Sequence, residues 1–207
     1  SFTYTNVRIH DNVITAANNN DSRGINVGIA QPGTYGAIYN NILYNVGQNF
    51  SGIAMYSGNW KVYNNTLYNI YSTSGMVWIQ YDSATADVRN NIFYSDGNSP
   101  YVGAFNGATM SQMTLSNNLY YNRGAAPSQD SSPVTGNPLF INPLTGDFRL
   151  QTGSPAKDGG TATAVNTVVT IDNDGTSRPQ GLAYDIGAYE SSGPSLPKPQ
   201  NLTIYRQ

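Results

Sequence analysis

Apolar residues recur along the first two thirds of the chain in short alternating runs at a nearly constant interval. The runs surround a repeated phrase, which reads IHDNVITAA at 9–17, IYNNILYNV at 38–46, VYNNTLYNI at 62–70, VRNNIFYSD at 88–96 and LSNNLYYNR at 115–123. Each copy contains a DN or NN pair, and we align the copies on the second residue of that pair, which is Asn12, Asn41, Asn65, Asn91 and Asn118. These positions are 29, 24, 26 and 27 residues apart. A period of this length is typical of solenoids and propellers.

The chemistry of the runs favours strands over helices. β-branched and aromatic residues alternate with polar ones between Gly, Asn and Ser, and no segment keeps a helical period over ten positions. A second strand-like run accompanies each copy at 24–30, 52–58, 75–81 and 101–107. A propeller would need about 40 residues per blade, so the spacing is too short for one. We predict an all-β fold, a right-handed parallel β-helix with about five to seven coils and an irregular C-terminal cap.

Apolar columns in the alignment predict the interior of this solenoid. We expect each column to point inward and to stack on its equivalents in neighbouring coils. The shared Asn is predicted to turn the chain and to form a ladder of amide hydrogen bonds. The columns are Ile9, Ile38, Val62, Val88 and Leu115; Val13, Ile42, Thr66, Ile92 and Leu119; Ile14, Leu43, Leu67, Phe93 and Tyr120; and, from the second strands, Ile25, Ile53, Met76 and Val102.

The amino-acid composition restricts the classes of partner that the protein can bind. Charged residues are 11% of the chain, against about 25% in an ordinary soluble domain, and the net charge is -2. Without a run of Lys and Arg, the sequence argues against nucleic-acid binding. The chain contains no Cys, which excludes disulfides and thiolate zinc sites. No apolar stretch is long enough to predict a membrane span.

Charged and aromatic residues are predicted to share one outer face of the coils. Strands of neighbouring coils lie about 4.8 Å apart, so equivalent outward positions form rows. The guanidinium group of Arg can form two hydrogen bonds to a carboxylate, and the ring of Tyr can stack on a sugar ring. These residues therefore predict a trough that binds a polysaccharide. The predicted substrate-binding residues are Arg8, Tyr39, Tyr63 and Asp87.

Three bases on the same face are candidate catalytic residues. Elimination from a uronate needs a group that neutralises the carboxylate and a base that removes the neighbouring proton. Lys61, Arg89 and His10 are the candidates for these roles. The alternative is that all of these are solvated side chains, with Asp87, Lys61 and Arg89 forming a surface ion-pair cluster. A second column of Tyr residues has two similar interpretations: the rings stack on a sugar ligand, or they pack against each other at a corner of the coils. This column consists of Tyr44, Tyr68, Tyr94 and Tyr121.

The pattern changes after residue 136. The segment reads GNPLFINPLTGDFRLQTGSPAKDGG at 136–160 and IDNDGTSRPQGLAYDIGAYE at 171–190. It resembles the closing segment of secreted bacterial β-helix proteins of the pectate-lyase-like superfamily. That resemblance implies an extracellular or cell-surface location, and a superfamily of polysaccharide lyases, epimerases and adhesins.

The acidic phrase at 172–174 raises the question of calcium. It matches the beginning of an EF-hand-like loop, but the bidentate Glu of such a loop is absent. We therefore predict no metal or other cofactor and keep calcium as the alternative. In the favoured interpretation, Asp174, Arg178, Asp185 and Glu190 form ion pairs and turn hydrogen bonds in the cap.

These features predict three segments and two classes of function. Residues 1–135 are coils, 136–190 the terminal coils and cap, and 191–207 a Pro/Ser-rich linker toward a further β domain. The expected function is extracellular recognition or processing of a polysaccharide, with lyase-type β-elimination on a uronate polymer as its enzymatic form. The alternative is a non-catalytic adhesin, binding scaffold or fibre module. Self-association through the coil ends is a further expectation.

Overall fold

A computed structural model describes residues 5–15, 24–28, 33–46, 52–95 and 97–191. The predicted parallel β-helix is confirmed, because each coil strand pairs in parallel with its equivalent one coil away. The linker predicted at 191–207 lies outside the described residues except for Ser191. No helix in the described ranges has the length and apolar character that crossing a membrane requires.

The first sheet carries the predicted trough on its outer face. Its five strands are hydrogen-bonded in the order β1-β4-β7-β10-β13. Five strands enclose four turns of the solenoid, slightly fewer than the five to seven coils predicted. The strands are β1 (Val7–His10), β4 (Tyr35–Tyr39), β7 (Gly58–Tyr63), β10 (Ala84–Arg89) and β13 (Met113–Ser116).

Two further parallel sheets complete the coil. The second sheet consists of β2 (Val13–Thr15), β5 (Ile42–Tyr44), β8 (Thr66–Tyr68), β11 (Ile92–Tyr94), β14 (Leu119–Tyr121) and β15 (Val134–Thr135). The third consists of β3 (Ile25–Val27), β6 (Ile53–Met55), β9 (Val77–Ile79) and β12 (Val102–Ala104). Ile53 stands in register with Val77, so this inward column passes through Val77 rather than the predicted Met76, which is also buried.

The interior is built from like residues stacked on like. Ile38, Val62 and Val88 are in register on successive strands and are fully buried. Phe93 and Tyr120 stack on successive coils of the second sheet, with ring centroids 5.3 Å apart. The column that contains Ile38 and the column that contains Phe93 therefore point inward as predicted.

The column that follows the shared Asn does not point into the solenoid. Successive residues of a strand face opposite sides, so Ile42 and Leu43 cannot both point inward. Leu43 belongs to the interior, whereas Ile42 packs in a separate cluster with Phe148 and Ile186 of the C-terminal segment. The inward prediction was wrong for this column because a second apolar layer, outside the coils, buries it.

The predicted Asn ladder is confirmed. The backbone N–H and the Nδ2 group of Asn65 both donate to Oδ1 of Asn91, each at 2.9 Å. Asn41 donates in the same way to Asn65, and Asn91 to Asn118. The amides also bond to backbone carbonyls, as from Asn65 Nδ2 to Ile38 O, which joins coils on both sides.

A buried aspartate ends the ladder. Oδ2 of Asp130 accepts the backbone N–H of Asn118 at 3.3 Å, its Nδ2 group at 2.9 Å and the hydroxyl of Tyr120 at 2.8 Å. Oδ1 of Asp130 accepts the backbone N–H of Ser132 at 2.9 Å. A carboxylate only accepts hydrogen bonds, so it satisfies the last amide without requiring another coil.

The first Asn of each pair holds the C-terminal segment. Asn40, Asn64, Asn90 and Asn117 have φ between 51° and 55°, so the chain turns here rather than at the shared Asn. Their amide groups donate outward to backbone carbonyls, to Ile171 from Asn40, to Asp185 from Asn64, to Thr161 from Asn90 and to Gly159 from Asn117. The segment therefore contacts the side of four successive coils.

An ion pair and a hairpin stabilise this segment. Arg178 donates to Glu190 at 2.8 Å, and both side chains are 0% exposed. The Asp185 carboxylate accepts the backbone N–H groups of Asp158 and Ser191. These are the ion pair and turn hydrogen bonds predicted for Arg178, Asp185 and Glu190, whereas the Asp174 carboxylate makes none to another described residue. The hairpin consists of antiparallel β16 (Phe140–Asn142) and β17 (Asp147–Leu150), joined by a 3-10 turn at Pro143–Thr145.

Replacing one ladder residue should destabilise the fold strongly. Asn91→Ala removes the acceptor of the buried backbone N–H of Asn65 and the three hydrogen bonds that Asn91 Nδ2 donates to Val62 O, Arg89 O and Asn118 Oδ1. We therefore expect a loss of about 3 kcal/mol or more in the free energy of unfolding. Asn166→Ala is the matched control, because this Asn is exposed and its side chain makes no hydrogen bond to another described residue. Urea unfolding measures both. Equal losses would contradict the ladder.

Candidate functional site

A groove runs over the outer face of the first sheet. Its volume is about 350 Å³. Strands β1, β4, β7 and β10 form most of it, and Val168 of the C-terminal segment contributes from the side. The lining residues are Asn6, Arg8, Tyr35, Gly36, Ala37, Asn59, Trp60, Lys61, Thr85, Ala86, Asp87, Gln112, Thr114 and Val168.

Two rows of outward side chains line the groove, one residue from each strand. The first row contains the predicted Arg8, Lys61 and Asp87, and it stands in register as Arg8, Ala37, Lys61, Asp87 and Thr114. The second row, two positions earlier, was missed, and its residues in register are Tyr35, Asn59 and Thr85. The two-residue alternation that identified the first row would have found the second, which supplies neutral hydrogen-bonding groups.

Two cations flank a small residue in the first row. Lys61 is exposed and makes no hydrogen bond or ion pair within the described ranges. Arg8 lies two strands away, with its Nε 3.4 Å from Asn6 Oδ1, and interacts with the Tyr39 hydroxyl. Ala37 lies between them and lines the groove, where it is 6% exposed and packs in one cluster with Val165 and Val169 of the C-terminal segment.

The carboxylate of Asp87 is already neutralised. Its Oδ2 accepts the Tyr63 hydroxyl at 2.5 Å, and its Oδ1 accepts Arg89 Nε at 2.6 Å. Burial, followed by the hydrogen bond to Asp87, raises the pKa of Tyr63 far above its ordinary value. Tyr63 is therefore a protonated donor to Asp87, and Arg89 balances the carboxylate charge.

The neighbouring row is covered by the C-terminal segment. Tyr39 and Tyr63 are 6% and 0% exposed, and they pack against Val165, Val169 and Tyr184. Their ring faces are closed to a ligand, so these two predicted binding residues lie beneath the site rather than in contact with its open space. Their burial results from an apolar layer that the repeat alignment did not include.

The predicted catalytic trio does not converge on one point. His10 is on the first strand of the sheet and Arg89 on the fourth, a separation of three inter-strand steps or roughly 14 Å. The His10 ring stacks on Tyr39 at 4.5 Å, and its Nδ1 is 2.6 Å from Asp11 Oδ2. Arg89 bonds to Asp87, so Lys61 is the member of the trio that lines the groove unpaired. Catalytic roles for the three remain a prediction.

The second Tyr column is packed under the hairpin. Tyr68 is buried, with its ring 5.3 Å from Phe148, and Tyr44 lies 5.1 Å from the same ring. Tyr94 contacts Tyr68 at 4.5 Å, and burial raises the pKa of both hydroxyls. Of the two interpretations of this column, the structure supports corner packing.

The acidic phrase at 172–174 forms a turn. The Asp172 carboxylate accepts the backbone N–H groups of Asp174 at 2.9 Å, Thr176 at 2.7 Å and Glu190 at 2.8 Å. Within the described ranges, no group of three or more His, Asp or Glu side chains is placed to hold a metal ion. The first residue of the calcium alternative therefore has a structural role in this turn.

Comparison with models of known protein families gives no match, and no curated protein is detectably similar in sequence. The β-helix therefore rests on the structure, and membership of the pectate-lyase-like superfamily remains a prediction from the motif at 171–190. Because one fold hosts many activities, the groove has to carry the functional argument.

Alkaline pH should destabilise the protein through Tyr63. Above about pH 10 the unfolded chain loses the phenol proton, whereas the folded state keeps it because its pKa is raised. Each such Tyr lowers the free energy of unfolding by about 1.4 kcal/mol per pH unit in this range. We expect Tyr63→Phe to give a shallower decline than the wild type in urea unfolding above pH 10.

Tyr35→Phe is the control for this measurement, since Tyr35 is 48% exposed. It should leave the alkaline decline unchanged. If the two variants behave alike, Tyr63 is not buried under the C-terminal segment.

Proposed function

We propose that the groove on the first sheet binds an acidic polysaccharide outside the cell. The observation that carries this proposal is the groove row in which Arg8 and the exposed Lys61 flank Ala37, with Lys61 making no hydrogen bond or ion pair to another described residue. Asp87 shares the groove, but Arg89 compensates its charge. The groove therefore attracts anionic groups, and the Arg8 fork suits a carboxylate.

The second row suits the hydroxyl groups of a sugar chain. Asn59 and Thr85 bond to each other at 2.7 Å and retain further donor and acceptor capacity. Tyr35 is half-exposed and offers an aromatic face beside them. The step between strands, about 4.8 Å, is close to the length of one pyranose residue. Each coil can therefore contact successive residues of a chain that lies along the solenoid.

Binding of the polysaccharide without cleavage is favoured, because most of the candidate bases are buried, paired or away from the groove. Tyr63 is buried and protonated, Arg89 is paired, and His10 is at the sheet edge beside Asp11. Lys61 lines the groove and makes no ion pair with another described residue. A lyase would need Lys61 to remove the proton while Arg8 neutralises the uronate, and this is the enzymatic alternative.

A self-assembling module is supported by a different observation. Strands β1, β2 and β3 are the terminal strands of their sheets among the described residues, and Val13 of the first described coil is 59% exposed. Open strand edges with apolar side chains can pair with another chain. Light scattering across a concentration series should then show association that Val13→Lys abolishes. A monodisperse monomer at every concentration would exclude this function.

Removing either groove cation should weaken polysaccharide binding. Lys61→Gln and Arg8→Gln are each expected to raise the Kd for alginate, pectate or chondroitin sulfate about 3–10-fold, because each removes one partly solvated ion pair. Titration calorimetry at low salt measures the effect, which added salt should reduce. Arg123→Gln removes the same charge from an exposed residue outside the groove and is the matched control.

Product formation separates recognition from cleavage. The same polymers are incubated with the protein, and absorbance of unsaturated chain ends is followed. Binding without product supports recognition, and product that disappears in Lys61→Gln supports the lyase alternative. If no polymer binds, or if Arg123→Gln weakens binding as much as Lys61→Gln, the groove is not the site.

A further inference from the structure

A second cavity lies entirely within the C-terminal segment. Its volume is about 300 Å³, and it shares no lining residue with the groove on the first sheet. Strand β17, the turn at 172–176 and the chain at 189–191 surround it. Nearly all of its lining is polar, which distinguishes it from the apolar layers elsewhere in this segment.

Several polar groups in this cavity have no hydrogen-bond partner in the part of the chain that the structure describes. The hydroxyls of Thr152, Thr176, Tyr189 and Ser191 and the carboxylate of Asp174 all line it. None of these side-chain groups makes a hydrogen bond to another described residue. Other carboxylates in or near the cavity are engaged, because Asp172, Asp185 and Glu190 each accept hydrogen bonds from two or more donors. Such a set is suited to a ligand that both donates and accepts hydrogen bonds.

The charges around the cavity nearly cancel. Arg149 forms two hydrogen bonds to Asp147, at 2.8 and 2.6 Å, and Glu190 is paired with Arg178. Asp172 is engaged by three backbone N–H groups. Lys157 and Asp174 then contribute opposite charges to the lining. These groups together leave one net negative charge, that of Asp172, so the lining favours a neutral ligand over an anion.

We propose that this cavity is a carbohydrate site for a neutral sugar residue. The hydroxyl groups of a sugar can donate hydrogen bonds to the Asp174 carboxylate. With the Thr and Ser hydroxyls of the cavity they can either donate or accept. The Tyr189 ring and the half-exposed Ile141 supply an apolar wall for the C–H face of the sugar. The site is independent of the groove, which selects acidic groups, and the proposal does not rest on that function.

Two isosteric variants test the site without disturbing the fold. Tyr189→Phe and Thr176→Val each remove one hydroxyl that makes no hydrogen bond to another described residue. The probes are cellobiose, mannobiose and lactose, titrated into isotopically labelled protein, with glucuronate as the charged comparison. We expect at least one neutral disaccharide to shift the amide resonances of residues 172–176 and 189–191 saturably at millimolar concentration. Each variant should weaken this binding about 3–10-fold.

Tyr35→Phe is the control, since it removes a hydroxyl from the groove on the first sheet. It should leave binding at the cavity unchanged, and Lys61→Gln should do the same even where it weakens polymer binding. The proposal is overturned if no neutral disaccharide shifts these resonances, if glucuronate binds more tightly than the neutral sugars, or if the two cavity variants bind like the wild type.

Discussion

The buried amide ladder is the interaction on which the rest of the structure depends. An Asn side chain inside the solenoid is stable only if the next coil supplies an acceptor at the same height, since an unpartnered buried amide costs about 1–3 kcal/mol. Asn41, Asn65, Asn91 and Asn118 meet this condition in turn, and Asp130 ends the series. Coils of 24, 26 and 27 residues therefore keep one register at the corner, and their length differences fall in the connections.

The strand register that the Asn ladder fixes determines which side chains become neighbours on the outer face of the first sheet. Because equivalent positions lie side by side, side chains far apart in sequence form straight rows, and Arg8, Ala37 and Lys61 become neighbours. The outward Asn of each pair then holds the C-terminal segment against the coils. That segment closes one row, borders the open groove through Val168 and contains a cavity of its own. Both proposed binding sites thus follow from a single stacking constraint.

The repeat predicted the solenoid, the ladder and the register of the groove, because those features depend on local alternation and a constant period. It did not predict what covers the coils. Tyr39 and Tyr63 are exposed on a bare sheet and become buried through Val165 and Val169, whose apolar spacing alone does not specify their partner. Ile42 was assigned to the interior for the same reason. Asp130 was missed because it follows Asn118 by 12 residues, well short of the coil period.

Hydrogen exchange of the Asn side-chain amides tests the ladder most directly. The Nδ2 protons of Asn65 and Asn91 are each held by acceptors on two coils, so they should exchange only when the whole solenoid unfolds. Their protection should therefore equal that of the slowest backbone amides and fall with them in urea. Exchange as fast as that of the exposed Asn166 side chain would show that the coils are not locked through these residues.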